Sequence, residues 1–368
     1  MGTQLHDASR QWASRPDDQR FLSLGDLQAN VLSRRRESWT ATPQTADMRV
    51  VPAPNNGVEI EVFDPTKGER RALVPTNWAF SQLSQYAQAP AAYLRKLPAE
   101  LAAINLQWGL ERSPLRDDSL VLARSNGSHE LRAMTSTSYG RIWDHQVVEA
   151  VERVNVDGRW QIPASTYSER APLRATTLYA SDRDVFIFLV DPNNPIELPG
   201  EEAPLFRGFY CWNSEVGSAV FGLTTFLYRT VCDNRIIWGA TDIKELRIRH
   251  TGGAPDRFAY EGARYLRRYA EESSQKVIDG ITAAKNAALP IKEGEKADDS
   301  VKSWLQSRGF TKAQATGSYD AAVAEEGRAR SVWDIVNGIT AYARSVGHTD
   351  ARVDLETKAG KLMADVTK

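Results

Sequence analysis

The sequence predicts an α+β fold: a twisted antiparallel sheet with hairpin–helix units, followed by a C-terminal helical domain. Three observations predict it. β-branched and aromatic runs face one another across short turn signals, most clearly around Asn126-Gly127. Among them lie stripes at helical spacing, such as Trp143, Val147, Val151 and Val154. A polar linker at 289–300, LPIKEGEKADDS, then separates this mixed part from a final segment with helical periodicity alone.

Taken in order, residues 1–40 read as a polar N-terminal arm with one amphipathic piece, Phe21, Leu22, Leu24, Leu27 and Val31. Arg34, Arg35 and Arg36 follow, suiting either a helix C-terminus, where cations meet the macrodipole, or a phosphate-contacting arm. The α+β core domain spans 41–288. Val58, Ile60 and Val62 alternate with glutamates, residues 64–68 turn, and 71–74 return. Three short helices fill 76–111, with Asn77 as an N-cap; SQLSQYAQAPAAYLRKLP has the rhythm of a helix-turn-helix, although packed helices without DNA are commoner. The hairpin over 120–134 leads into a helix over 143–154, closed by Asp157-Gly158. Strands at 178–180 and 185–190 flank a second hairpin turn. Long strands then run past Gly217 and Gly222 to a turn at Asp233-Asn234. Residues 243–249 form a short strand or helix entry, and 256–286 a single long helix. In the C-terminal helical domain, 301–368, Val332, Ile335, Val336, Ile339 and Tyr342 make an amphipathic stripe.

Composition narrows the function. With 46 basic and 47 acidic residues among 368, a uniformly basic nucleic-acid coat is excluded, but a local basic face is not. Two cysteines do not make a disulfide scaffold. No apolar run approaches the roughly 18–20 residues of a membrane helix, and no basic-then-apolar leader opens the chain. A cytoplasmic protein without membrane contact is expected. Walker, Gly-x-Gly-x-x-Gly, Gly-x-Ser-x-Gly and His-Glu-x-x-His motifs are all missing, so no cofactor or catalytic residue is assigned.

Basic and aromatic residues interleave in RFAYEGARYLRRYAEE. Arg264, Arg267 and Arg268 share a helical face, with Tyr260, Tyr265 and Tyr269 interspersed. The hairpin–helix unit adds Arg132, Tyr139 and Arg141. A single-strand binder needs both types: cations track phosphates and rings stack bases. Glu261, Glu271 and Glu272 allow the plainer reading of a salt-bridged surface helix. Cys211 and Cys232 lie far apart and read as small buried hydrophobes. Glu215 and Asp233 are the acidic pair a magnesium-dependent nuclease would use, although acidic residues are also ordinary turn formers.

Several stretches stand in a distinctive order: SRPDDQRFLSLGDL, QLSQYAQAPAAYLRKLPAELAAINLQWGL, LRAMTSTSYGRIWD, WNSEVG, VCDNRIIWG, and SVWDIVNGITAYAR followed by DARVDLETKAGKL. This order resembles the phage/plasmid-like proteins of domain of unknown function 932, over nearly the whole chain. The resemblance implies a mobile-element context and supplies no catalytic residues; Asn213, Ser214, Glu215, Cys232 and Asn234 are its landmarks. The leading expectation is non-catalytic DNA handling by a homo-oligomeric single-strand binding or annealing protein. The alternatives are an interaction protein that inhibits host defence and a metal-dependent nuclease.

Overall fold

The structure, a computed structural model, describes residues 16–112, 118–162, 176–198, 204–229, 234–236, 245–327, 329–345 and 349–366. The start of the N-terminal arm, Cys232 and Asp233 lie outside these residues. The fold is α+β, and its strands divide between two mostly antiparallel sheets rather than forming one.

Among the described residues the first sheet has six strands: β2 (Ser38–Ala41), β3 (Arg49–Ala53), β4 (Gly57–Asp64), β5 (Glu69–Pro75), β6 (Leu120–Ser125) and β7 (His129–Thr135). Their spatial order is β2-β6-β7-β5-β4-β3. The β4–β5 and β6–β7 hairpins lie where the turn residues place them, with Gly68 and Gly127 at φ 71° and 94°. β5 and β7 pair in parallel, Val74 opposite Glu130. Parallel neighbours need a crossover, and α2 (Asn77–Tyr86), α3 (Ala91–Leu94) and α4 (Ala99–Arg112) lie within that connection.

Thr76, one residue earlier than expected, caps α2: its Oγ1 accepts from the Ala79 N–H at 3.2 Å. α3 is a single turn, too short to enter a DNA groove, so the helix-turn-helix reading fails. Leu83, Leu94, Leu106 and Leu110 pack on Ile60, Leu73, Val121 and Leu131. α4 presses so closely on the preceding loop that a Cβ at Gly109 would sit 2.1 Å from the Ala87 carbonyl oxygen.

The second sheet runs β1-β8-β9-β10-β11-β12, with β13 also paired to β11. Its strands are β1 (Arg20–Phe21), β8 (Leu178–Ala180), β9 (Val185–Val190), β10 (Leu205–Asn213), β11 (Phe221–Arg229), β12 (Asn234–Ile236) and β13 (Glu245–Ile248). Residues 245–248 thus resolve as a strand. α1 (Leu24–Arg36), α5 (Asp144–Val154) and α6 (Ala254–Ala270) contribute Val31, Val147, Phe258 and Leu266 to the apolar cluster that includes Ile187, Phe209 and Leu223. Alternate strand residues form a second cluster, nearly all aromatic: Tyr179, Phe186, Phe188, Tyr210, Trp212 and Phe226. Cys211 is buried with the first set.

The single helix expected over 256–286 is two. Ser273 leaves helical geometry (φ −61°, ψ 128°) and caps α7 (Ser274–Asn286), its hydroxyl accepting from the Gln275 N–H. α8 (Ala297–Ser307), α9 (Lys312–Glu326), α10 (Val332–Ser345) and α11 (Thr349–Val366) follow. Val332, Ile335, Val336 and Ile339 are buried as their spacing requires. One apolar cluster includes Ile196, Leu205 and Leu227 beside the second sheet, Val277 and Ile281 on α7, and Leu305, Trp333 and Met363 on later helices. The core therefore continues across the 289–300 stretch, and Leu289 within it is buried.

Candidate functional site

The two sheets meet through a buried network of charged side chains. Its centre is the loop leaving β10. There Glu215 accepts from Arg132 of β7 through one carboxylate oxygen, and from the Asp144 backbone N–H at 3.2 Å through the other. Its backbone carbonyl accepts from Arg141. Arg132 also donates to the Asp182 carbonyl at 3.2 Å.

A second pair lies alongside. Arg34, at the end of α1, donates to Asp144 at 2.9 Å and to the Ser181 carbonyl. Asn213 Nδ2 donates to the other Asp144 oxygen at 2.8 Å and to the Ile142 carbonyl at 2.9 Å. The Val216 carbonyl accepts from Trp78 Nε1 and Gln82 Nε2 of α2, each at 2.9 Å. Val216 itself packs with Leu122 and Ala133 of the first sheet.

Burial alone would raise the Glu215 carboxyl, but Arg132 and Arg34 hold it down at about 2. Burial, and then the adjacent Glu215 charge, push Asp144 up to about 8 against the pull of Arg34. Burial lowers the Arg34 charge affinity, whereas Glu215 more than offsets burial at Arg132.

Tyr139 and His250 form a lid on one side of this network. Their rings stack at 4.9 Å, and the Tyr139 hydroxyl donates to the Ser214 carbonyl at 2.9 Å. Burial pushes His250 down to about 4, so it is neutral near pH 7.

The structure thus separates the sequence-derived candidates. Arg132 and Arg141 are 2% and 7% exposed and bind Glu215, leaving little guanidinium surface for a nucleic-acid backbone. Tyr139 already stacks on His250. Arg264, Arg267 and Arg268 are exposed on α6. Tyr265 is half-buried against the core, and Tyr269 is buried, donating to the Phe226 carbonyl at 2.6 Å.

Glu215, weighed as a metal ligand, is engaged by Arg132. Among the described residues, no group of three or more His, Cys, Asp or Glu side chains is placed to hold a metal ion. Sequence reasoning missed Arg34 and Asp144 as network members. A readable signal exists for Arg132, an arginine set between the apolar Leu131 and Ala133-Met134 of β7.

Above the network lies a cleft of about 670 Å³, lined from both sheets and from the start of α2. Arg34, Arg124, Arg132 and Arg183 face it together with Glu130, Asp182 and Asp184.

These features define a two-sheet α+β protein with a gripped β10–β11 loop at its junction. The chain belongs to the family of a domain of unknown function, DUF932, whose model matches residues 169–364, just over half of the chain. No curated protein and no solved structure gives a significant match. Among the described residues, no helix is long and apolar enough to cross a membrane.

Proposed function

We propose that this protein handles nucleic acid without cutting it, binding or annealing single strands in the replication or recombination of a phage- or plasmid-type element. The exposed face of α6 is the phosphate-contacting surface. The observation that carries this reading is the grouping of Tyr260 with the three arginines. Tyr260 is 69% exposed, and its hydroxyl accepts from Arg264 at 2.8 Å. Arg267 and Arg268 follow one turn on, exposed and without an ion pair among the described residues. Arg257 is paired with Glu261 at 2.9 Å and adds less. The base platform is therefore Tyr260 rather than Tyr265 or Tyr269.

The test is anisotropy of labelled single-stranded DNA across a salt series. Changing Arg264, Arg267 and Arg268 together to alanine should flatten the salt slope by about 2, the value for three single-strand phosphate contacts. Tyr260→Ala should cost about 1–3 kcal/mol of binding, the worth of one stacked base. Failure of the parent protein to bind at low salt, where electrostatics are strongest, ends this reading.

One observation favours an interaction protein instead. α4 exposes Leu101, Ile104 and Trp108, the last at 62%, at helical spacing, with exposed Tyr93 on the neighbouring α3. Such a stripe fits contact with another copy of the chain or with a host protein.

A further inference from the structure

The cleft above the ion network is not used by the α6 reading, and its chemistry is specific. α2 begins at its wall. The Asn77 and Trp78 N–H groups belong to the first helical turn and have no intrahelical acceptor. No other partner takes them among the described residues. Arg183 lies over the Trp78 ring at 5.7 Å, and its carbonyl is fixed by Ser214 Oγ at 2.5 Å.

Deeper in, Arg34 is 7% exposed and its Nε has no acceptor. Arg124 and Arg132 both bear unfavourably on the Arg34 charge, so three guanidinium groups crowd one side. Each is held by an acidic side chain: Arg34 by Asp144, Arg124 by Glu37 and Arg132 by Glu215. These held charges favour an anion on this side of the cleft, and the groups left open to contact it are the helix amide at Asn77 and the exposed Arg183. The cleft is not simply basic, however. Glu130, Asp182 and Asp184 line it; Asp182 faces the Arg132 charge, but neither the Glu130 nor the Asp182 side chain is hydrogen-bonded or ion-paired among the described residues. A ligand that satisfies both halves carries an anion at one end and hydroxyl or amino donors at the other. The volume of about 670 Å³ lies within the range of small-molecule sites, roughly 300–1,000 Å³.

We propose that this cleft holds a terminal nucleotide. The phosphate monoester sits against the open Asn77 amide at the start of α2 and Arg183, and sugar or base donors meet Glu130 and Asp182. A free nucleoside monophosphate and the phosphorylated end of a strand present the same chemistry.

Calorimetry on the full chain separates these sources. The probes are deoxyadenosine monophosphate, deoxyadenosine, and one oligonucleotide with a 5′-phosphate, a 3′-phosphate or neither. At least one phosphorylated probe should bind about tenfold or more tightly than its unphosphorylated counterpart, as expected for a charge-assisted contact. Preference for the free monophosphate assigns a nucleotide site; preference confined to a phosphorylated oligonucleotide assigns a strand-end site.

Two variants locate the contact. Arg183→Ala, at an exposed position, should abolish the preference. Asn77→Pro removes one amide at N1, where proline is tolerated, and Thr76 already has the extended backbone (φ −60°, ψ 162°) that proline requires before it. It should weaken the preference about threefold or more with the melting temperature unchanged. The alanine triple variant on α6 should retain it, which keeps this test separate from the α6 reading. Equal binding of all phosphorylated and unphosphorylated pairs, or undiminished preference in both cleft variants, overturns the proposal.

Discussion

Arg132 on one sheet binds Glu215 in a loop of the other, and both side chains are almost wholly buried, at 2% and 4% exposure. This pair spans the junction and ties two sheets whose separate cores lie elsewhere. Arg132→Met leaves a carboxylate buried without its cation and should cost about 3–5 kcal/mol by urea unfolding. The double variant with Glu215→Met should cost well under the sum of the two single changes. Strict additivity would mean that the two side chains do not depend on one another.

His250 sets an acid limit. Its imidazole titrates near 4 in the folded protein and near the ordinary 6.5 when unfolded. Between those values the unfolded chain holds more protons. Its contribution is therefore complete above pH 6.5 and is lost as pH falls through about 4, by up to about 3 kcal/mol. Melting temperatures from pH 7.5 to 4.5 should fall less steeply in His250→Gln. An unchanged slope would place the acid sensitivity elsewhere.

Gly222 tests the packing of the aromatic sheet face. A Cβ there would lie 2.0 Å from the Trp212 indole. Gly222→Val should destabilise by about 1–3 kcal/mol or more through overpacking. Gly252→Ala is the control: nothing lies within 4 Å of its added carbon, so the change should stay within about 0.5 kcal/mol. Equal effects at both sites would contradict the close fit of Trp212.

The α4 stripe makes a prediction about association rather than folding. Ile104 is 63% exposed, so Ile104→Glu should alter stability by no more than about 0.5 kcal/mol. Sedimentation velocity should show concentration-dependent association of the parent that this variant loses. Association unchanged by the glutamate would remove this face from consideration as the self-contact.

Local signals carried most elements. Asn126-Gly127 marked its hairpin, and the Val147 and Val151 spacing marked α5, because turn chemistry and amphipathic period are properties of neighbours in sequence. The make-up of the first sheet was not legible, since the parallel meeting of β5 with β7 across the intervening helices joins its two hairpin halves. The break at Ser273 was hidden for another reason. Apolar spacing continues through Leu266, Tyr269 and Val277, and a single serine cap ends one helix within it.

The site was least legible. In the sequence Arg132 reads as a phosphate contact and Glu215 as a metal ligand. Only the fold shows that each is the other's partner. Arg34 sat in a triplet that read as surface, and the docking of α1 against Ser181 and Asp144 buries that one member.

The two-residue strand β1 has a bearing on how the chain can be dissected. Arg20 and Phe21 pair with Tyr179 and Leu178, closing the β8 edge of the second sheet. They lie far outside residues 169–364, as do Arg34, Arg132 and Asp144. A polypeptide trimmed to the matched span would expose an unpaired strand edge and strip Glu215 of its counter-charge at once. The matched span thus lacks partners that the fold supplies from elsewhere in the chain, and expressed alone it should aggregate at concentrations where the full chain does not.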